Sequence, residues 1–180
     1  MADTARTLSD LLTNLFQDGQ AAGAITENDV RDLIVSLVNP YGCMYVSSAA
    51  ATTIAVAGTF VKAAGTTTLA LGSDFDMPAD NRIRYTGVPT RRFIVQAGIS
   101  MTTAGTNVVL GMKFAKNGVV DDITEMQRKV GTGSDIGAAT PLGMFSLATN
   151  DYLEMWVTNE TNTSAVTLDL MNITIIGMID

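Results

Sequence analysis

The stretch RRFIVQAGISM, residues 91–101, decides the fold class. Phe93, Val95, Ala97, Ile99 and Met101 alternate with Ile94, Gln96, Gly98 and Ser100. Successive side chains of a strand point to opposite faces, so a period of two marks a strand with one face buried. The pattern recurs downstream. Val108, Leu110, Met112 and Phe114 alternate with Val109, Gly111, Lys113 and Ala115, and Leu153, Met155 and Val157 alternate with Tyr152, Glu154 and Thr158. Breaks rich in Gly, Asn and Thr separate the runs: TTAGTN, KNG, GTGSD, ATND and NETNTS. Many short strands with turn signals and no intervening helix predict a mainly β chain, an antiparallel β-sandwich of jelly-roll type over residues 41–180.

The last strand breaks the alternation. Val166, Leu168 and Leu170 alternate with Thr167 and Asp169, but beyond them both faces turn apolar. Ile173, Ile175 and Ile179 lie on one face, Ile176 and Met178 on the other. Such a strand is either central in its sheet or a contact between subunits. The segment Ser47–Gly72, rich in Ala, Thr and Gly, fits strands of small residues or an extended arm.

Working back towards the start, the period changes to 3.6. Leu8, Leu11, Leu12, Leu15 and Phe16 form one apolar stripe, and Val30, Leu33, Ile34, Leu37 and Val38 form a second. Thr26 with Asp29 is a short-acid variant of the capping box, and Pro40 closes the second helix. The small linker DGQAAGA joins them. Residues 1–40 are therefore an N-terminal two-helix segment. A hairpin this small buries little alone, so both stripes are expected to dock on a neighbouring subunit or a larger body.

Composition points the same way. Hydrophobic residues make up 47% and charged residues only 16%, against about a quarter charged in ordinary domains. A surface covered by copies of the chain or by a partner accounts for that deficit, and it favours the final apolar strand as a subunit contact. The net charge of −7 and a pI near 4.4 repel phosphate backbones and anionic membranes. Neither nucleic acid nor membrane is an expected partner. Cys43 is the only cysteine and is expected to be a small buried residue. The polar start MADTARTLSD has no signal-peptide core, and the expectation is synthesis in a cytoplasm.

The residues LFQDGQAAGAITENDVRDLIVSL resemble a short N-terminal module of tailed-phage virion proteins, with Gly23, Ile25, Thr26, Arg31 and Asp32 at matching positions. The remainder is similar to trimeric jelly-roll heads of phage fibre and decoration proteins, themselves similar in layout to tumour-necrosis-factor-like domains. The marks are Tyr85-Thr86-Gly87, Lys116-Asn117-Gly118 and Asn150-Asp151; the last departs from a common Gly-Asp. The resemblance implies a homotrimer attached to the major capsid protein or another virion protein through its N-terminal arm, and a virion location. Leu8, Leu11, Leu12, Leu15, Phe16, Val30, Leu33, Ile34 and Leu37 are then the expected attachment residues. Ile173, Ile175, Ile176, Met178 and Ile179 are the expected trimer interface. Head decoration is the expected role, and a tail or head fibre that binds a host receptor is the alternative.

Catalytic chemistry finds little footing. The chain has no histidine, so the usual base of a nucleophilic triad is missing. Asp74, Asp76 and Asp80, and Asp121 with Asp122, read as turn residues rather than a carboxylate pair or a cation site. GTGSDIG lacks the lysine of a phosphate loop. Trp156 and Tyr152 share a face with Glu154, which suits packing better than a sugar platform. Arg82, Arg84, Arg91 and Arg92 are the densest basic group: either a solvated, acid-paired set or a docking patch for acidic neighbours. No cofactor is implied. The expectation is a non-enzymatic structural protein.

Overall fold

The structure is a computed structural model that describes residues 4–17, 19–21, 23–131 and 135–178. The N-terminal segment holds α1 (Leu8–Asp10), which runs on as a wider π turn over Leu11–Leu15, and α2 (Glu27–Leu37). The strands follow: β1 (Tyr41–Ala49), β2 (Ala51–Thr52), β3 (Val61–Lys62), β4 (Gly65–Ser73), β5 (Phe75–Ala79), β6 (Arg82–Tyr85) and β7 (Arg91–Thr103). The second half holds β8 (Val108–Lys116), β9 (Val119–Val120), a 3-10 turn (Asp122–Thr124), β10 (Met126–Val130), β11 (Gly137–Ala139), β12 (Leu142–Leu147), β13 (Tyr152–Asn159) and β14 (Val166–Gly177).

Two antiparallel sheets face each other. The first runs β11-β7-β14-β1-β4, with β12 also on β7 and β2 on β14. The second runs β10-β8-β13-β6-β5, with β3 on β13 and β9 on β8. The chain crosses between sheets repeatedly, from β4 to β5, β6 to β7, β7 to β8, β12 to β13 and β13 to β14. That back-and-forth path makes the sandwich a jelly roll. Ser47–Gly72 supplies β2, β3 and most of the edge strand β4.

The core lies where the period of two put it. Phe93, Val95, Ala97, Ile99 and Met101 from the first sheet are buried against Val108, Leu110, Met112, Phe114, Leu153, Met155 and Val157 of the second. At one end Phe75, Tyr85 and Phe93 form a three-ring cluster with centroids 5.0–5.4 Å apart. Tyr85 donates to the Pro89 carbonyl at 2.9 Å. Burial pushes its phenol up to about 12, so the ring stays neutral. At the β8–β9 hairpin, Asn117 and Gly118 adopt φ of +53° and +78° between Lys116 and Val119, which are paired. Two left-handed residues match the twist of the strands they join.

Strand β14 corrects the sequence reading twice. It is a central strand, between β7 and β1, so Ile173 and Ile175 are fully buried in the subunit's own core and cannot form a trimer interface. A bulge between Leu168 and Leu170 also shifts the register against β7. Leu168 points inward, Leu170 turns out to 65% exposure, and Met171 takes the inward place. One extra residue reverses the facing of everything after it. Ile176 lies on the outer face and Met178 is half-buried. Ile179 lies outside the described residues.

The bulge makes a sharp prediction. Met171→Asp places a carboxylate in the core and should abolish the folded circular-dichroism spectrum, whereas Leu170→Asp should leave it unchanged. The reverse order would refute the register. Phe93→Ala should cost about 3–5 kcal/mol in denaturant unfolding; a loss below about 1 kcal/mol would contradict its place in the core.

Candidate interaction surfaces

Helix α2 begins as its sequence dictates. Thr26 and Asp29 make a reciprocal cap, with the Thr26 amide donating to Asp29 Oδ2 at 2.7 Å and the Asp29 amide donating to Thr26 Oγ1 at 3.3 Å. The surprise is which side faces the body. Asp32 and Ser36 are its buried residues. Val30, Ile34, Leu37 and Val38 are 44%, 59%, 50% and 55% exposed. Leu33 is half-buried. The polar side is docked and the apolar stripe faces outward.

A set of hydrogen bonds holds this inverted orientation. Asp32 accepts from the Thr4 amide at 2.7 Å and from Arg6 Nε at 3.0 Å. Ser36 Oγ accepts from the Arg6 amide at 2.7 Å and donates to the Asp32 carbonyl. Arg6 also reaches Asp10 at 2.8 Å. From the sandwich, Arg91 donates to the carbonyls of Ser36 at 2.9 Å and Val38 at 3.3 Å. That guanidinium satisfies orphan carbonyls at the negative end of the helix. The segment after α2 is pinned as well: Gly177 donates to the Pro40 carbonyl at 2.8 Å, and a Cβ on Gly177 would sit 2.8 Å from the Pro40 ring.

The first helix also departs from its expected stripe. Phe16 donates to the carbonyl of Leu11, five residues back, at 2.9 Å. That wider turn rotates the five-point pattern apart. Leu11 is buried, Leu15 and Phe16 are half-buried, and Leu8 and Leu12 are exposed. Between the N-terminal helical segment, or foot, and the sandwich lies a cleft of about 350 Å³ lined by Ala5, Val35, Val38, Ser73, Asp74, Thr86, Gly87 and Val88.

The outer faces of the two sheets are chemical opposites. On the first, Met144, Ile94, Ile176 and Tyr41 stand side by side across β12, β7, β14 and β1. The next row is Leu142, Gln96, Thr174, Cys43 and Leu71, and the next Gly98, Asn172, Tyr45 and Thr68. None of these rows holds an ionisable acid or base of the Asp, Glu, Lys or Arg type. Cys43 is half-buried there and donates weakly to Asn172 Oδ1 at 3.5 Å, so it is a face residue and not a core one.

The second sheet's outer face is covered by charge pairs. Glu154 is 1% exposed and accepts from Arg82 at 2.9 and 3.0 Å and from the Trp156 indole at 3.1 Å, with Lys62 at 3.6 Å. The Arg82 guanidinium lies 4.0 Å from the Tyr152 ring centre, so that aromatic face is already occupied. Lys113 sits between Asp122 at 2.7 Å and Glu125 at 2.8 Å, beneath the Phe60 ring. Burial alone would lower the Lys113 pKa, but its two carboxylate hydrogen bonds outweigh that and raise it.

The four arginines do not form one patch. Arg82 and Arg84 face outward on β6 in the second sheet, and Arg84 is held in a fork by Asp76. Arg92 is exposed on β7 of the first sheet, while Arg91 is 6% exposed beneath α2. Of the acidic residues expected in turns, Asp76 lies in β5 as the partner of Arg84 and Asp122 pairs with Lys113, while the others serve turns and backbone caps. Asp80 accepts from the Thr67 amide, Asp121 caps the 3-10 turn through the Ile123 amide, and Asp74 holds a left-handed turn at φ +59°.

No protein-family model matches the chain, and no curated protein sequence does. Among solved structures, murine APRIL at pH 5.0 superposes with a TM-score of 0.51 at 8% identity, over 77% of this chain and 99% of that one. This chain has the fold of a tumour-necrosis-factor-like jelly roll. Murine APRIL at pH 8.5 and pH 8.0 gives TM-scores of 0.49 and 0.47, each at 8% identity. At that identity the likeness to the tumour-necrosis-factor-like jelly roll concerns the fold alone.

Two outcomes follow for the foot. The Thr4 amide and the Arg6 guanidinium hold the Asp32 carboxyl below the usual carboxylate range. A depressed folded pKa means the clasp contributes fully above about pH 4 and is lost as pH falls through the folded value. Carboxyl carbon shifts should show Asp32 titrating below the ordinary range, with the Thr4 amide moving in step; a midpoint at or above about 4 would contradict the clasp. Arg91→Ala should cost about 1–3 kcal/mol and speed amide exchange in the last turn of α2.

Proposed function

We propose that this protein is a non-enzymatic structural component of a phage virion. It assembles as a homotrimer and attaches to the major capsid protein, or to another virion protein, through its N-terminal helices. The outward apolar stripe of α2 is the observation that carries this reading. An amphipathic helix normally buries its apolar side. A chain that anchors the opposite side with three hydrogen bonds from Thr4 and Arg6, and the helix end with two from Arg91, has a surface prepared for another molecule.

The uncharged rows around Ile94, Ile176, Tyr41 and Met144 support self-association. A contiguous apolar face is uncommon on a lone domain, and charged residues are depleted at interface centres. In this reading the trimer contact uses the outer face of the first sheet, with Ile176 from the expected set and without the buried Ile173 and Ile175. With the sandwiches packed there, the feet project from one end. Decoration then works by mass action: a ligand of the assembled shell stabilises it by about 2.7 kcal/mol at a hundredfold excess over its Kd.

Sedimentation at micromolar concentration should give a trimer. Ile176→Glu, which puts one carboxylate per subunit on the uncharged face, should shift it to monomer with the fold intact. A stable wild-type monomer would refute the assembly. Shells saturated with the protein should open at a higher temperature than bare shells, and microscopy should place its density on the head. Equal opening temperatures would remove the decoration role, and density on the tail would favour a fibre.

A further inference from the structure

We propose that the partner of α2 presents an apolar groove rimmed by lysines and arginines, which α2 enters as a preformed helix read through Val30, Ile34 and Leu37. This rests on the attachment role assigned to the foot above and names the chemistry of what it attaches to. The spacing i, i+4, i+7 is that of a helix laid in a groove, and all three side chains are exposed.

Charge selects the rim. Residues 1–40 hold six carboxylates (Asp3, Asp10, Asp18, Glu27, Asp29 and Asp32) against Arg6 and Arg31, a net of −4 out of the chain's −7. Arg6 is already engaged by Asp10 and Asp32, and Arg31 stands 3.9 Å from the exposed Glu27. Asp3 and Asp18 lie outside the described residues and Asp32 is on the docked side, but Glu27 and Asp29 against Arg31 alone still leave the remaining charge along α2 net negative. A second foot of this chain would bring the same −4, and like charges brought together across an interface are repelled. An anionic lipid surface is disfavoured by the same sign. A basic rim attracts it, and steers encounter in a salt-dependent way.

Preorganisation strengthens the case. The capping box fixes the start of α2, Arg91 satisfies carbonyls at its end, and Asp32 and Ser36 anchor its back. The helix is formed before it meets a partner, so little ordering entropy is lost on binding.

The test uses the full chain, isotope-labelled, titrated with a Leu/Lys amphipathic helical peptide and with its Leu/Glu counterpart. The Leu/Lys peptide should perturb Val30, Ile34 and Leu37 and bind at least about tenfold tighter, with the preference shrinking as salt rises. The charge-reversing surface variant Glu27→Lys should reduce that preference, and Ile34→Asp should abolish the response while the sandwich spectrum stays unchanged. Equal binding of the two peptides, or perturbations that avoid α2, would overturn the proposal. Intact shells are titrated in parallel. If shells fail to bind while the Leu/Lys peptide does, the virion assignment falls and the groove chemistry stands. If shells bind Ile34→Asp as well as wild type, the groove falls and the virion assignment stands.

Discussion

Helix α2 is docked by its polar face, and the exposure of the rest of the foot follows from that. Buried polar groups are tolerated only when their hydrogen bonds are made. Asp32 and Ser36 meet the condition with donors from Thr4 and Arg6. The Arg91 guanidinium closes the helix end from the sandwich side. Once these bonds are made, rotating the helix to bury Val30, Ile34, Leu37 and Val38 would break all of them together. Each exposed aliphatic side chain forgoes about 1.5–3 kcal/mol of burial. A partner that covers the stripe recovers this, less the losses of association.

The sandwich carries the foot at a defined place. Pro40 lies against Gly177, so the chain leaves α2 directly into β1 beside the end of the central strand β14. The ring cluster of Phe75, Tyr85 and Phe93 closes the core at this end, since Tyr85 and Phe93 border the Thr86–Thr90 turn that precedes Arg91. The two outer sheet faces then divide the chemistry. One is sealed by Glu154, Arg82, Lys62, Lys113 and their partners. The other exposes Ile94, Ile176 and Tyr41, without a charge in its central rows.

The sandwich was legible because strand facing is a local property. A period of two at residues 93–101 translated directly into buried and exposed positions, whereas at 108–114 it picked out the inward side chains but Gly111 and Lys113 on the other face are covered as well. The exception was β14, where the apolar run at Ile173 and Ile175 had two readings and only the strand order could choose. Its bulge left a trace that went unread: the apolar positions step from 166, 168 and 170 to 171, 173 and 175, with Asn172 and Thr174 between them. The foot was legible as helices but not as an orientation. The residues that turn α2 over are Thr4 and Arg6, 28 and 26 residues from Asp32, and Arg91, 55 residues from Ser36. Nothing local announces such pairings. The arginines show the same limit: Arg91 and Arg92 are sequence neighbours, yet alternation sends one under the foot and the other to the surface.

The most direct measurement is methyl relaxation of the isolated protein in the presence of a soluble paramagnetic agent. Val30, Ile34 and Leu37 should relax nearly as strongly as Ile123, which is 93% exposed, while Leu11 and Ile173 remain protected. Protection of Ile34 and Leu37 in the isolated protein would mean that α2 buries its apolar side after all, and the inverted foot would be wrong.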